Sequence, residues 1–242
     1  MNKKKRRVLL KAVLLSAFAA VTLTGMTGCK SQNAVPQDTD QHAAATSPGE
    51  QSTVNGTILL AVNPEIFIDF DTNGNVLSME GRNKEGKEFL KQLKSYEGQE
   101  CRIAVANLVD AIYEAGYFNN TLGGQTSTIV VKAEAGSSYP SEDFMVKIAD
   151  AIRNVAAKNH LDAVPILIEE KDLDGNGYIS IDKAKELVMA HLGLSDARFK
   201  DHEQELDDGR YEFEIIADGV EYDYEVNAVT GRIVKAEREI HD

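Results

Sequence analysis

Tryptophan is absent from the 242 residues, and cysteine occurs only twice, at Cys29 and Cys101. With so few thiols, disulfides cannot be what holds the fold together, and a chain of this length can build its core without them. Positive charge is scarce: 26 Lys and Arg stand against 39 Asp and Glu, a formal net charge of −13. Such a surface repels phosphate backbones, which argues against nucleic acid and favours cations or basic proteins as partners. Long apolar runs are also lacking. The longest is interrupted at Lys11, leaving Ala12–Gly25 uncharged, which is short of the ~20 residues a membrane-spanning helix needs. Hydrolase and nucleotide signatures (H-E-x-x-H, G-x-S-x-G, G-x-x-x-x-G-K-[ST]) do not occur. Ser180-x-x-Lys183 formally matches a nucleophile motif but lacks its S-D-N and K-T-G companions. The expectation is a protein that binds or regulates and is not an enzyme.

What is present begins at the N-terminus. Residues 1–28 run from MNKKKRR through an apolar stretch to MTG, the layout of an export signal. The tetrapeptide MTGC resembles a bacterial lipobox, with Met26 where Leu is usual, and the resemblance implies acylation of Cys29. Loss of residues 1–28 removes six basic residues and no acid, taking the net charge to −19. Residues 29–55 are Gln, Ser, Thr, Ala and Pro with almost no large apolar side chain, a lipid-linked disordered tether averaging ~25–30 Å end to end. The chain is therefore expected at the extracytoplasmic face of the cell membrane.

Two acidic stretches resemble calcium loops. DFDTNGNVLSME at 69–80 satisfies the D-x-D-x-N-G-x5-E pattern in full, and DLDGNGYISIDK at 172–183 fails only at its last position. The first is preceded by strand-like alternation, with Ile66, Ile68 and Phe70 opposite Glu65, Phe67 and Asp69, and is followed by NVLSMEG, which alternates again. Two alternating runs joined by Asn73-Gly74 predict a β-hairpin, whereas an EF-hand needs flanking helices. Helical spacing follows, with Phe89, Leu90 and Leu93 on one face, then Ile103, Leu108 and Ile112 on another, ending near Gly116. Cys101 at the start of this second helix reads as a small semi-buried hydrophobe. TSTIVVKAEA predicts a buried strand, Ser141 caps a third helix through NVAAKNH, and AVPILIEE predicts another strand. Together these make one α+β domain over 56–170.

The run NGTILLAVNPEIFIDFDTNGNVLSMEGRNKEGKEFLKQL, with the later YEAGYF, resembles the extracytoplasmic middle domain of RsgI-type anti-sigma factors. The resemblance implies the same hairpin at 69–80. It does not imply anti-sigma activity, which in that family resides in a cytoplasmic segment beyond a membrane helix.

From Tyr178 the pattern changes. A helix is expected with Ile181, Ala184, Leu187, Val188 and Leu192 on one side, Ser180 as N-cap and Gly193 as C-cap. Alternating segments follow, punctuated by Asp208-Gly209, Asp218-Gly219 and Thr230-Gly231, with Tyr211, Phe213 and Ile215, then Val220, Tyr222, Tyr224 and Val226, sharing faces. ISIDKAKE, LDDGRYEFE and GVEYDYEVNAVTGRI, in this order, resemble a PepSY domain over 178–242. That resemblance implies an exported module that inhibits or regulates peptidases. The fold class expected for the whole chain is α+β, in two small domains, each with helices on a mainly antiparallel sheet.

Two candidate sites follow. Asp172, Asp174, Asn176, the Tyr178 carbonyl and Ser180 occupy calcium-loop positions, with Asp182 one residue before the final position, where Lys183 replaces the usual bidentate Glu. The competing reading is an Asx-closed linker between the domains. The outer face of the C-terminal strands carries Glu212, Glu214, Glu221, Asp223 and Glu225, either a solvated face that discourages edge pairing or a docking surface for a basic partner. The functional expectation is a tethered regulator, acting on an exported peptidase through the C-terminal module. The alternative is an envelope protein that responds structurally to calcium.

Overall fold

The computed structural model describes residues 53–239 apart from 120, 123–124, 127, 196, 201–205 and 218. The export signal, Cys29 and most of the tether lie outside the described residues. Strand β1 (Gly56–Ala61) pairs antiparallel with β2 (Glu65–Phe70), which turns at 71–75 into β3 (Val76–Gly81). The alternation thus forms the predicted hairpin. Gly74, at φ +81°, takes the left-handed conformation that the turn demands. Helix α1 (Lys84–Leu90) is capped by Asn83, whose Oδ1 accepts from the Gly86 amide at 2.7 Å. It ends at Leu90, and Leu93 packs from the following turn.

Helix α2 (Cys101–Glu114) buries Cys101, Ala104, Val105, Leu108, Val109 and Ile112. Ile103, expected on this stripe, is 44% exposed, because the buried face is set by residues 101, 104, 105 and 108. A short hairpin, β4 (Thr121–Leu122) and β5 (Gln125–Thr126), leads to β6 (Ile129–Ala133), a buried strand as predicted. Helix α3 (Phe144–Lys158) begins later than expected, at cap residue Asp143. Ser141 is not the cap: its hydroxyl donates to Asp143 Oδ1 at 2.7 Å, closing the turn ahead of the helix. Strand β7 (Pro165–Ile168) then pairs parallel to β6, completing a sheet of order β3-β2-β1-β6-β7.

A 3-10 turn at Glu170–Asp172 precedes α4 (Ile181–Leu192), capped as predicted by Ser180, whose Oγ accepts from the Lys183 amide, and by Gly193 at φ +68°. The second sheet consists of β8 (Arg198–Phe199), β9 (Leu206–Asp207), β10 (Arg210–Ala217), β11 (Val220–Asn227) and β12 (Ile233–Glu239), all antiparallel. The architecture is α+β.

Two cores result, one on each face of the first sheet. Ile58, Leu60, Ile66, Ile68, Phe70, Ile129 and Val131 pack with α2 and α3. Alternate residues of the same strands, Leu59, Ala61, Val130, Ile166 and Ile168, join α4 and the inner face of the second sheet in the other cluster. This happens because a strand presents successive side chains to opposite faces, and here both faces are covered. The turn between β11 and β12 leans on this surface. At Gly231, φ +74°, an added Cβ would lie 2.4 Å from Ile168 Cδ1.

Candidate functional site

The acidic loop at 172–180 is a miniature hairpin, with Leu173 bridged to Ile179. The Asp174 amide donates to the Tyr178 carbonyl at 2.7 Å, and the Gly177 amide to the Asp174 carbonyl at 3.0 Å. Asp174 Oδ1 accepts from the amides of Asn176 (2.8 Å) and Tyr178 (2.9 Å). Desolvation opposes ionisation of this carboxyl, but the backbone hydrogen bonds prevail and hold its pKa below the usual carboxylate value. Asp172 Oδ2 accepts from the Glu169 amide at 2.9 Å as half of a capping box. Lys183, only 9% exposed, aims its ammonium at this side of the loop, 3.9 Å from Asp172 Oδ2 and 3.1 Å from Glu186. Asp182 is an exposed residue in the first turn of α4.

Of the residues expected to form a calcium loop, the structure therefore brings Asp172, Asp174, Asn176, Tyr178 and Ser180 into one turn. Oxygens of Asp172, Asp174, Tyr178 and Ser180 already accept amide hydrogens, while the Asn176 side chain donates to Asp174 Oδ2. Among the described residues, no three His, Cys, Asp or Glu side chains converge as a metal site requires. The first acidic stretch closes in the same way. Asp71 Oδ1 accepts from the amides of Asn73 and Asn75, while Gly74 donates to the Asp71 carbonyl. Its neighbour Asp69 ties three strands, accepting from Thr57 Oγ1 at 2.6 Å and Ser78 Oγ at 2.7 Å.

The acidic face of the second sheet is assembled by strand register. Glu212 stands opposite Glu225 and Glu214 opposite Asp223, while Glu221 lies one pair further along. Like charges directly opposite are destabilising. Arg210 meets Glu225 at 2.8 Å and Lys200 meets Glu214 at 2.6 Å and also Glu221, which offsets part of that repulsion. Glu212 and Asp223 form no ion pair among the described residues, and with Lys235 they line a shallow depression of about 200 Å³. All five expected residues thus share one face.

Two of the buried polar groups, Glu65 and His191, were missed in the sequence. Glu65, 3% exposed, is held by Arg82 Nη1 at 2.6 Å and by Arg232 Nε at 2.9 Å. His191 Nδ1 lies 2.9 Å from the Tyr224 hydroxyl, and burial pushes the imidazole pKa below its usual value. Cys101, expected as a semi-buried hydrophobe, is fully buried in the first core, where desolvation raises its thiol pKa to about 12. No local pattern announces Glu65, since Arg232 is 167 residues away in sequence. His191 had a signal: it falls on the buried side of α4, three residues after Val188.

No helix among the described residues is long and apolar enough to cross a membrane. Residues 55–185 match the family model of the anti-sigma factor RsgI-like central domain, and residues 149–237 match that of the peptidase propeptide and YPEB domain, PepSY. The two matches overlap over residues 149–185, from within α3 through β7 to the first turn of α4. No curated protein matches the chain.

Proposed function

Since the chain belongs to the family of the anti-sigma factor RsgI-like central domain and continues into a PepSY match, we propose that it is a lipid-anchored extracytoplasmic regulator of an exported peptidase. Neither family description names a catalytic activity, and both suggest an extracytoplasmic regulatory role exercised through protein contacts. The observation that carries the finer reading is the outer face of the second sheet. Five carboxylates project from two adjacent strands in register; among the described residues Glu212 and Asp223 form no close ion pair, and Lys235 acts on Asp223 only at longer range. A face that keeps like charges opposite each other gives up stability, and a basic partner surface would recover it. In this reading acylated Cys29 holds the chain at the membrane, residues 29–55 supply reach, and the PepSY segment presents the acidic face.

The test is cross-linked capture from living cells with the full lipoprotein as bait. Recovery of an exported peptidase, with salt-sensitive binding that weakens when Glu212→Gln and Asp223→Asn are combined, supports the proposal. Equal recovery by the double variant, or capture of cell-wall components alone, overturns it.

A further inference from the structure

The second face of the first sheet is an apolar surface covered by the chain's own C-terminal segment. Leu59, Ala61, Val130 and Ile168 are each 0% exposed, and Ile166 is 8% exposed. Their packing partners in that cluster include Ile179, Leu187, Val188 and Val226. Uncovered, these side chains would form a contiguous apolar patch of several hundred Å², a size that soluble monomers rarely leave in water. The contact is close enough to leave no room for a methyl group at Gly231.

The cover is also fastened by polar groups. Arg82 reaches Glu65 from the first sheet's own side, its amide donating to the Glu65 carbonyl and its guanidinium to Oε2, whereas Arg232 reaches Oε1 from the turn before β12. A carboxylate this buried is costly unless both oxygens are satisfied, and with the C-terminal segment seated the second oxygen is satisfied by Arg232 of that segment. The Ile179 amide also donates to the Ala228 carbonyl, and the Tyr211 hydroxyl to the Ile179 carbonyl, which joins the linker to the second sheet.

We propose that the two family segments are one cooperative body, in which α4 and strands β10–β12 act as a lid over the second face of the first sheet and the Arg82–Glu65–Arg232 cluster is the latch. The overlap of the two family matches across β7 fits this, because β7 pairs within the first sheet while its Ile166 and Ile168 face the lid. An event at the acidic outer face then reaches the RsgI-like sheet without a hinge between them. The proposal does not depend on the identity of any partner.

Hydrogen exchange on the full chain tests it. In the wild type, the slowest amides of β1, β6 and β7 and those of β10–β12 should exchange with a common opening equilibrium. Arg232→Met should speed both sets by the same factor, at least about tenfold, because it leaves one oxygen of a buried carboxylate unsatisfied. Arg153→Met, which removes an exposed pair with Asp150, should change neither set. If Arg232→Met fails to fold, Arg232→Lys should give a smaller acceleration, again equal in both sets. Acceleration confined to β10–β12, or no acceleration in either set, overturns the proposal.

Discussion

Replacing Gly231 with alanine tests how tightly the C-terminal segment seats on the first sheet. Two costs add. At φ +74° an L-residue occupies left-handed space, at about 1–2 kcal/mol. The new methyl would also lie 2.4 Å from Ile168 Cδ1 and 3.4 Å from Leu187 Cδ1 and Val130 Cγ1. Ile168 Cδ1 is the free end of its side chain but lies in a fully buried site, so moving it aside presses on packed neighbours, and overpacking of this kind costs about 1–3 kcal/mol. The expected total is about 2–5 kcal/mol. Gly209→Ala is the control, since Gly209 has φ +76° but nothing within 4 Å of an added Cβ, so it should lose only the backbone part. Urea denaturation of the two variants should therefore differ by about 1–3 kcal/mol at an unchanged m-value. Ile168→Val removes the clashing methyl. It should cost about 0.5–1.5 kcal/mol in the wild type but restore stability in the Gly231→Ala background. Equal losses for Gly231→Ala and Gly209→Ala would refute the close contact on which the lid rests.

Three further outcomes are expected. Burial holds the His191 pKa below 6.5, so its stabilising contribution is whole above that pH and declines as the unfolded chain takes up a proton on acidification; His191→Gln should flatten the loss of stability below pH 6.5 in thermal melts. Asp174→Ala should lower the denaturation midpoint by the same amount with and without millimolar calcium, and a calcium-dependent difference would show that the loop holds an ion after all. Asp223→Asn relieves repulsion from Glu214 across the strands and should leave the melting temperature unchanged or raised, so a marked drop would mean the face is needed for folding.

Local chemistry made much of the fold readable. Asn73-Gly74 fixed the first hairpin, Ser180 and Gly193 bounded α4, and alternation at Tyr211, Phe213 and Ile215 identified the buried side of β10. The acidic face was legible for the same reason: period two in a strand fixes which side chains share a side. Ser141 and Ile103 were misplaced by one helical turn or less, where boundaries depend on which residues happen to pack. Glu65 was beyond reach, because its second arginine arrives through tertiary contact between residues far apart in sequence. Nor did the alternation of β2 reveal that its second side, with Phe67, would be covered by a distant segment.

The twin turns at Asp71 and Asp174 explain why a calcium pattern fitted both. An ion-binding loop and an Asx-closed turn need a carboxylate at the same place, followed by Asn and a left-handed glycine, because each gathers positive charge inside a tight bend. In one case the charge is a metal; in the other it is the partial charge on the loop's own amide hydrogens. In both loops the leading carboxylate is met by backbone amide hydrogens, and the Lys183 ammonium lies 3.9 Å from Asp172 beside the second.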